Sequence, residues 1–329
     1  MVIPSMAIGA RVRRLAPAFG VALLVAGCGG APASNPGPGP ALTVHQAVSV
    51  VRAYDRANSK AAFTLDVRLQ NQHEEGVTAR MDDGYFRGLR LLGRKSESST
   101  ATPPTWRVSV DVPHRTATPA DFLAVVSLPG HATYGSGLLV LRKDSARASW
   151  RVAYEVDLPA GPTLPVVADG AAVSPDRAAL EQVAAYWRSS AVRASPLGTL
   201  AGGRFTSQVG TSLRSANAAT LAQHHARETE RVTLDRAAPA AFRLRGGGTL
   251  VFGAIDVVFQ VRQLATSGSA FVQPANRGTL PPYLAPGHYT GFSQDDIFQV
   301  ALVVPPRGRP IQVVGLFNEL VDATGTHGS

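Results

Sequence analysis

Apolar residues recur along this chain with two periods, and the helical period gives way to the strand period twice. From Thr43 the period is helical: Val44, Ala47, Val48, Val51 and Tyr54 fall on one face. Thr43-Val44-His45-Gln46 fits a capping box, in which the hydroxyl serves one orphan amide and the glutamine reaches back to another. A helix is therefore predicted from Thr43 to about Asn58. Phe63 to Leu69 alternates and fits either a strand or a continuation of that helix. Asp82 to Leu92 predicts a short helix, and Gly93 to Pro104 a loop.

After Pro104 the period becomes two. Trp106, Val108, Val110 and Val112 alternate with Arg107, Ser109 and Asp111. Phe122 to Leu128 and Gly137 to Arg142 are short apolar strands. Trp150, Val152, Tyr154, Val156 and Leu158 alternate again, after a turn over Lys143 to Ser149. This is a half-buried antiparallel meander. Pro159 to Pro165 interrupts it.

The second round opens with Ser174 as a cap and Pro175 at the first helical position, where a missing N–H costs nothing. Leu180, Val183, Ala184, Trp187 and Ala191 give the apolar face, and Pro196 ends the helix. Phe205, Val209 and Leu213 suggest a second helix, and Ala218 to Glu230 a third. Strands follow at Phe242 to Arg245 and, past Gly246-Gly247-Gly248, at Leu250 to Leu264. A Pro- and Gly-rich loop spans Val272 to Tyr289. Ile297 to Val304 and Ile311 to Leu320 form a closing pair, and the tail from Thr324 is small and polar.

The order helix-then-sheet thus occurs twice, which predicts an α+β protein. It would hold two tandem domains, 42–165 and 166–323, each with N-terminal helices packed on a curved antiparallel sheet, and a polar tail at 324–329. That order resembles the nuclear transport factor 2-like and cystatin-like fold, the unit from Ser174 more closely than the first. The resemblance implies a sheet wrapped on helices around a cone, into which an acid or imidazole can project.

The N-terminus carries a different signal. Arg11, Arg13 and Arg14 precede the apolar run Leu15 to Val25, which is too short for a permanent span but has the order of a secretory signal. The Arg13-Arg14 pair sits in poor surroundings for twin-arginine export, so general secretion is expected. Val25-Ala26-Gly27-Cys28 follows, and Cys28 is the only cysteine. This resembles the lipobox of bacterial lipoproteins. The resemblance implies a diacylglyceryl (palmitate-type) modification of Cys28, cleavage between Gly27 and Cys28, removal of residues 1–27 and display on the outer face of the cell membrane. Two acyl chains suffice for stable anchoring, at about 0.8 kcal/mol per buried methylene. Residues 28–41 would be the lipidated cysteine and a flexible Gly-, Ala- and Pro-rich tether. The lipobox, the helix Ala47 to Asn58 and the stretch Trp150 to Pro159 together resemble uncharacterized actinobacterial lipoproteins, whose domains supply no active site to carry over.

With Cys28 lipidated no disulfide can form, and the fold must hold by packing. Hydrophobic residues make up 45% of the chain and charged ones 17%, which is globular rather than disordered. The formal charge is +9, and three of those charges sit in residues 1–27, leaving +6 beyond them. Such a chain would be drawn to anionic headgroups or wall polymers. Its basic residues are scattered without a binding motif, so nucleic acid is not an expected partner.

Candidate chemistry is sparse. If 218–230 is helical, His224 and Glu228 share a face, with His225 beside them, and would offer two metal ligands. A metal needs a third ligand and a second shell. None is identifiable, so a solvated polar face and no metal is expected. Asp82-Asp83 and Asp295-Asp296 are adjacent acids that point apart, the second pair reading as turn chemistry after Ser293. Tyr54-Asp55 and Tyr186-Trp187 lie on helices and read as core packing. Gly135-Ser136-Gly137 and Gly246 to Gly248 lie between strands, and there is no P-loop, dinucleotide fingerprint, HExxH or GxSxG. No cofactor and no catalytic set are legible. The expected role is a non-enzymatic binding or scaffolding module of the cell envelope, gripping an apolar small molecule or another envelope protein. The alternatives are a cone-fold isomerase- or hydrolase-like enzyme with one Asp or His in a pocket, and an electrostatic binder of anionic wall polymer.

Overall fold

A computed structural model describes residues 42–94, 106–112, 120–127, 136–159, 167–190, 199–208, 226–264, 283–284, 289–306 and 308–327, with 211, 215 and 218. Gly27, Cys28, His224 and His225 lie outside the described residues, as do Val209 and Leu213 of the second predicted helix.

The first helix, α1 (Val44–Thr64), opens on the expected capping box: Gln46 N–H donates to Thr43 Oγ1 at 3.2 Å, and Thr43 N–H donates to Gln46 Oε1 at 2.7 Å. It runs past Asn58 and takes in Phe63, ending where Leu65 turns left-handed at φ 51°. Asp66 then caps the short α2 (Val67–Asn71), its carboxylate accepting from Leu69 N–H at 3.1 Å. The Phe63 to Leu69 stretch is therefore helix, turn and helix, with no strand. The helix α3 (Gly76–Leu91) begins six residues before the predicted one.

Four strands follow in meander order: β1 (Arg107–Asp111), β2 (Ala120–Ser127), β3 (Ser136–Lys143) and β4 (Arg151–Asp157). A register shift between β3 and β4 changes which face β4 shows. Val152 packs towards α1 while Tyr154 and Val156 pack the other way, although plain alternation puts all three on one side.

The second sheet has six strands. These are β5 (Val167–Ala172), β6 (Ala226–Leu234), β7 (Ala240–Leu244), β8 (Thr249–Gln263), β9 (Tyr289–Val304) and β10 (Gln312–His327), ordered β10-β9-β8-β7-β5 with β6 also on β8. Between β5 and β6 come α4 (Arg177–Ser190) and a π-helical turn, Arg204–Gln208. Asp176 does the capping expected of Ser174, its carboxylate accepting from Ala179 N–H at 3.1 Å.

Four predictions change here. Residues 226–230 are strand, although the pattern predicted helix. Phe205 sits in a π-helical turn. The tail from Thr324 to His327 is the end of β10. Asp295-Asp296 lies inside β9, not in a turn, because β9 begins at Tyr289.

The layers run helix, sheet, sheet, helix. Ala47, Val51 and Tyr54 of α1 pack on Phe122, Ala124, Leu139 and Val152. On the other face of that sheet, Leu123, Leu138, Val140, Tyr154 and Val156 join Phe242, Leu250, Phe252, Ala254, Ile297 and Phe317 of the second sheet in one cluster. The far face of the second sheet packs on α4 through Leu180, Val183, Ala184 and Trp187. Antiparallel sheets with both faces covered explain why β2, β3 and β8 read as almost continuous apolar runs. The chain is thus α+β, and its two sheets share a core.

The open edge at β4 is covered. Glu75 N–H donates to Val152 O at 3.0 Å, Thr78 Oγ1–H to Ala153 O at 2.9 Å, and Glu155 N–H to the Gln299 side chain at 2.8 Å. Covering an edge in this way removes a template for pairing with another chain.

Candidate functional site

Among the described residues, three polar sites bear on function. The first lies beneath α1. Tyr54 O–H donates to Glu74 Oε1 at 2.7 Å and lies 3.1 Å from Glu155 Oε2, while Asn58 Nδ2–H donates to the phenol oxygen at 3.2 Å. Gln70 Nε2 reaches Asn58 Oδ1 at 2.9 Å, Asp82 Oδ2 at 2.6 Å, and Glu74. Asn58, Gln70, Glu74 and Asp82 are all buried, which ties α1, α2, α3 and β4 into one polar knot. On its flank, burial pushes the Asp55 carboxyl up to about 6, with Arg56 opposing and Glu155 adding to the shift. Asp83, next to Asp82, points elsewhere and meets Asn71 at 3.5 Å. The sequence singled out Tyr54, Asp55, Asp82 and Asp83. It missed Asn58 and Gln70, which helical spacing turns inward, and Glu74, which lies between α2 and α3 in an isolated bridge to Val152.

The second place is the far half of the six-stranded sheet. Its two faces differ in charge. On the α3 side, Arg231, Val258, Asp295 and Asp322 stand in one cross-strand row. Arg87 closes the row on Asp322 at 3.1 Å, and Arg80 bridges Asp235 and Asp256 nearby. Burial, together with Asp235, holds the Asp256 carboxyl above its usual range. On the α4 side stand Glu228 and Glu230 of β6 and Asp296 of β9, among Val257, Phe259, Val261 and Phe298. Burial pushes Glu230 up to about 7, with Glu228 adding, and Asp296 up to about 7, with Asp295 adding. Both carboxylate oxygens of Glu230 are buried without a hydrogen-bond partner among the described residues. These two groups can therefore hold or release a proton near neutrality.

Glu228 sits on a strand opposite Val261, so the helical spacing that made it a co-ligand of His224 does not exist. Among the described residues no group of three or more His, Cys, Asp or Glu is placed to hold a metal. Tyr186 and Trp187 are buried in the α4 core. The Trp187 ring meets Phe298 edge-on at 5.2 Å, and its Nε1–H reaches Phe205 O at 3.4 Å.

The third place is an open cleft of about 450 Å³ at the outer end of β8, β9 and β10. Gln260, Arg262, Ser293, Thr324 and Thr326 line it with amide, hydroxyl and guanidinium groups. Behind it, Val261 and Phe292 pack with Ala226 and Leu284 and hold the strand ends together. Such a lining offers donors and acceptors in several directions and one fixed positive charge. It suits a ligand rich in hydroxyl and carbonyl oxygen better than an apolar one. No sequence motif marked it, because its residues come from three strands: Gln260 and Arg262 read as plain strand, Ser293 as turn chemistry, and Thr324 and Thr326 as tail.

Residues 38–325 match a family model described as Domain of unknown function (DUF8094). The chain belongs to this family. No curated protein and no solved structure matches it. The DUF8094 match takes in every described element from α1 to within two residues of the end of β10, and it leaves Val25-Ala26-Gly27-Cys28 outside.

Proposed function

We propose that this DUF8094 protein is a lipid-anchored, extracytoplasmic module of the cell envelope that binds or scaffolds a polar envelope component. The binding half rests on the open cleft at the end of β8, β9 and β10. The anchoring half rests on Val25-Ala26-Gly27-Cys28, which lies ahead of the family match at residue 38. In this reading residues 42–165 and 166–323 are tandem nuclear transport factor 2-like or cystatin-like units placed sheet to sheet. Large apolar side chains of the chain itself occupy the space between the sheets. That favours a polar partner at the rim over an apolar ligand in a cone.

Labelling cells with a palmitate analogue and then fractionating them tests the anchor. The parent chain should carry label in the membrane fraction and Cys28→Ala should lose both; label retained on Cys28→Ala would sink the anchor. Co-sedimentation with purified wall fragments tests the cleft. Arg262→Ala should weaken binding about tenfold, the size of one lost charge-assisted contact, and Ser293→Trp should weaken it by filling the cleft. Unchanged binding would remove the cleft from the reading.

One observation favours a second reading, an acid–base enzyme. Glu230 and Asp296 are carboxyls poised near neutrality on a face they share with Glu228 and apolar side chains. Carbon-detected titration of the two carboxyls should give midpoints near 7; midpoints in the ordinary carboxylate range would end this alternative.

A further inference from the structure

The outward face of α1 carries a run of exposed cations. Positions 45, 49, 52, 56, 60 and 63 are all exposed, at spacings of three and four that make one continuous stripe. Its central members are Arg52, Arg56 and Lys60. Among the described residues none of the three is in an ion pair. The stripe ends on Phe63, which is 41% exposed. There the C-terminal ends of α1 and α3 meet over Ala61, Leu65, Phe86 and Leu89, and Arg90 donates to Leu65 O at 3.0 Å. Leu91 and Leu92, 54% and 45% exposed, extend the same end, with Arg90 and Arg94 beside them. Asp66 is the exposed acid at this end, and Asp55 flanks the stripe half-buried.

We infer that this face of α1, with Phe63, Leu91 and Leu92 at its end, is a docking surface for an anionic lipid bilayer. Two features choose the bilayer over a soluble polyanion. A polymer would satisfy the three cations but gives exposed Phe and Leu side chains nothing to enter, whereas an interface takes up both. The geometry of attachment also fits. Residues 29–41 separate Cys28 from Leu42, a stretch that reaches at most roughly 45 Å. The helix that follows is roughly 30 Å long, so the chain is long enough for α1 to lie flat beside its own anchor. This last point rests on the lipid-anchor reading; the charge and apolar pattern does not.

The test uses residues 28–329 with Cys28→Ser, which keeps every described element, and vesicles of phosphatidylcholine alone or mixed equally with phosphatidylglycerol. The protein should sediment with the mixed vesicles, much less with the neutral ones, and less at high salt. The triple variant R52E/R56E/K60E should lose roughly a hundredfold in partitioning, the combined pull of three cations near headgroups. Phe63→Ser with Leu92→Ser should weaken binding even at low salt. Each variant should keep the parent's circular dichroism and Tm, since all five positions are exposed. Equal binding to both vesicle types, or a triple variant that binds like the parent, overturns the proposal. So does capture of soluble polyphosphate through the same residues without vesicle binding. Failure of the anchor looks different: the native chain would carry no lipid in cells while the unlipidated protein still chose anionic vesicles.

Discussion

Asp296 shows what a single residue in this fold can do. Its neighbours on β9, Ile297 and Phe298, face opposite ways, and the carboxyl goes with Phe298 onto the α4 side. Burial, with Asp295 adding, raises its pKa from 3.8 to about 7. A raised acid binds its proton in the folded state while the unfolded chain has lost it. Between pH 3.8 and about 7 stability therefore falls as pH rises, and above that range the full cost of the buried charge is present. Asp296→Asn should flatten that slope and raise stability at pH 8 by on the order of 2 kcal/mol. Urea denaturation at several pH values measures it; a variant with the parent's slope would show that the carboxyl is not buried as a neutral acid. Gln299 acts in the opposite sense. Fully buried, it accepts from Glu155 N–H at 2.8 Å and donates to Thr78 Oγ1 at 3.3 Å and Met81 Sδ at 3.0 Å. Gln299→Ala strands an edge amide of β4 and opens a cavity, so a loss of about 2–4 kcal/mol is expected, read as a drop in urea midpoint. Neither role was legible in sequence. An Asp pair after a serine looks like a turn, and a glutamine between Phe298 and Val300 looks like a solvent position.

Elements were legible where one period dominated. The capping box and apolar face of α1 and the alternation of β1 follow from spacing, whereas β2, β3 and β8 were read from apolar runs and the register shift in β4 breaks its alternation. The strand β6 did not. Its inward positions are Ala226, Glu228, Glu230, Val232 and Leu234, so two acids interrupt the apolar alternation and leave a segment of good helix formers. Pairing with β8 overrides that local preference. Helix α3 shows the converse problem, because its closest approach depends on a glycine. A Cβ on Gly84 would stand 2.7 Å from Val321 Cα in β10. Gly84→Ala gains about 1 kcal/mol of helix propensity but forces backbone against backbone, where overpacking costs about 1–3 kcal/mol or more. A net loss of stability is expected, seen as a lower Tm; a rise would mean that α3 can slide on β10 freely. Sequence offers no hint of this, since a glycine inside a helical pattern usually argues against the helix.

At the scale of the whole molecule the question is whether the two sheets and the helices on them behave as one body. A repeated helix-then-sheet order was expected from the sequence, but β5 precedes α4; how the two sheets meet was not legible, because the residues that meet are the ordinary apolar side of each sheet. Leu138, Val140 and Tyr154 from the first sheet and Phe242, Phe252 and Phe317 from the second belong to a single cluster. Polar links cross the same boundary: Arg142 donates to Ala238 O at 2.9 Å, Tyr154 O–H to Ala238 O at 3.0 Å, and Arg80 pairs with Asp235. Domains joined by a linker alone unfold separately. Units that share large buried aromatics lose each other's core on opening, so the loss of one should take the other with it. The tryptophans offer a direct reading. Trp106 and Trp150 pack against the first sheet, and Trp187 against the second. Variants that keep only Trp150 or only Trp187, the others replaced by Phe, should give coincident urea transitions with equal midpoints and m-values. Transitions separated by more than the shift each substitution causes in circular dichroism would show two independent domains. Coincidence would mean instead that the face of α1 and the cleft at the end of β10 are carried on one cooperative body, so that what binds at either site stabilises the whole.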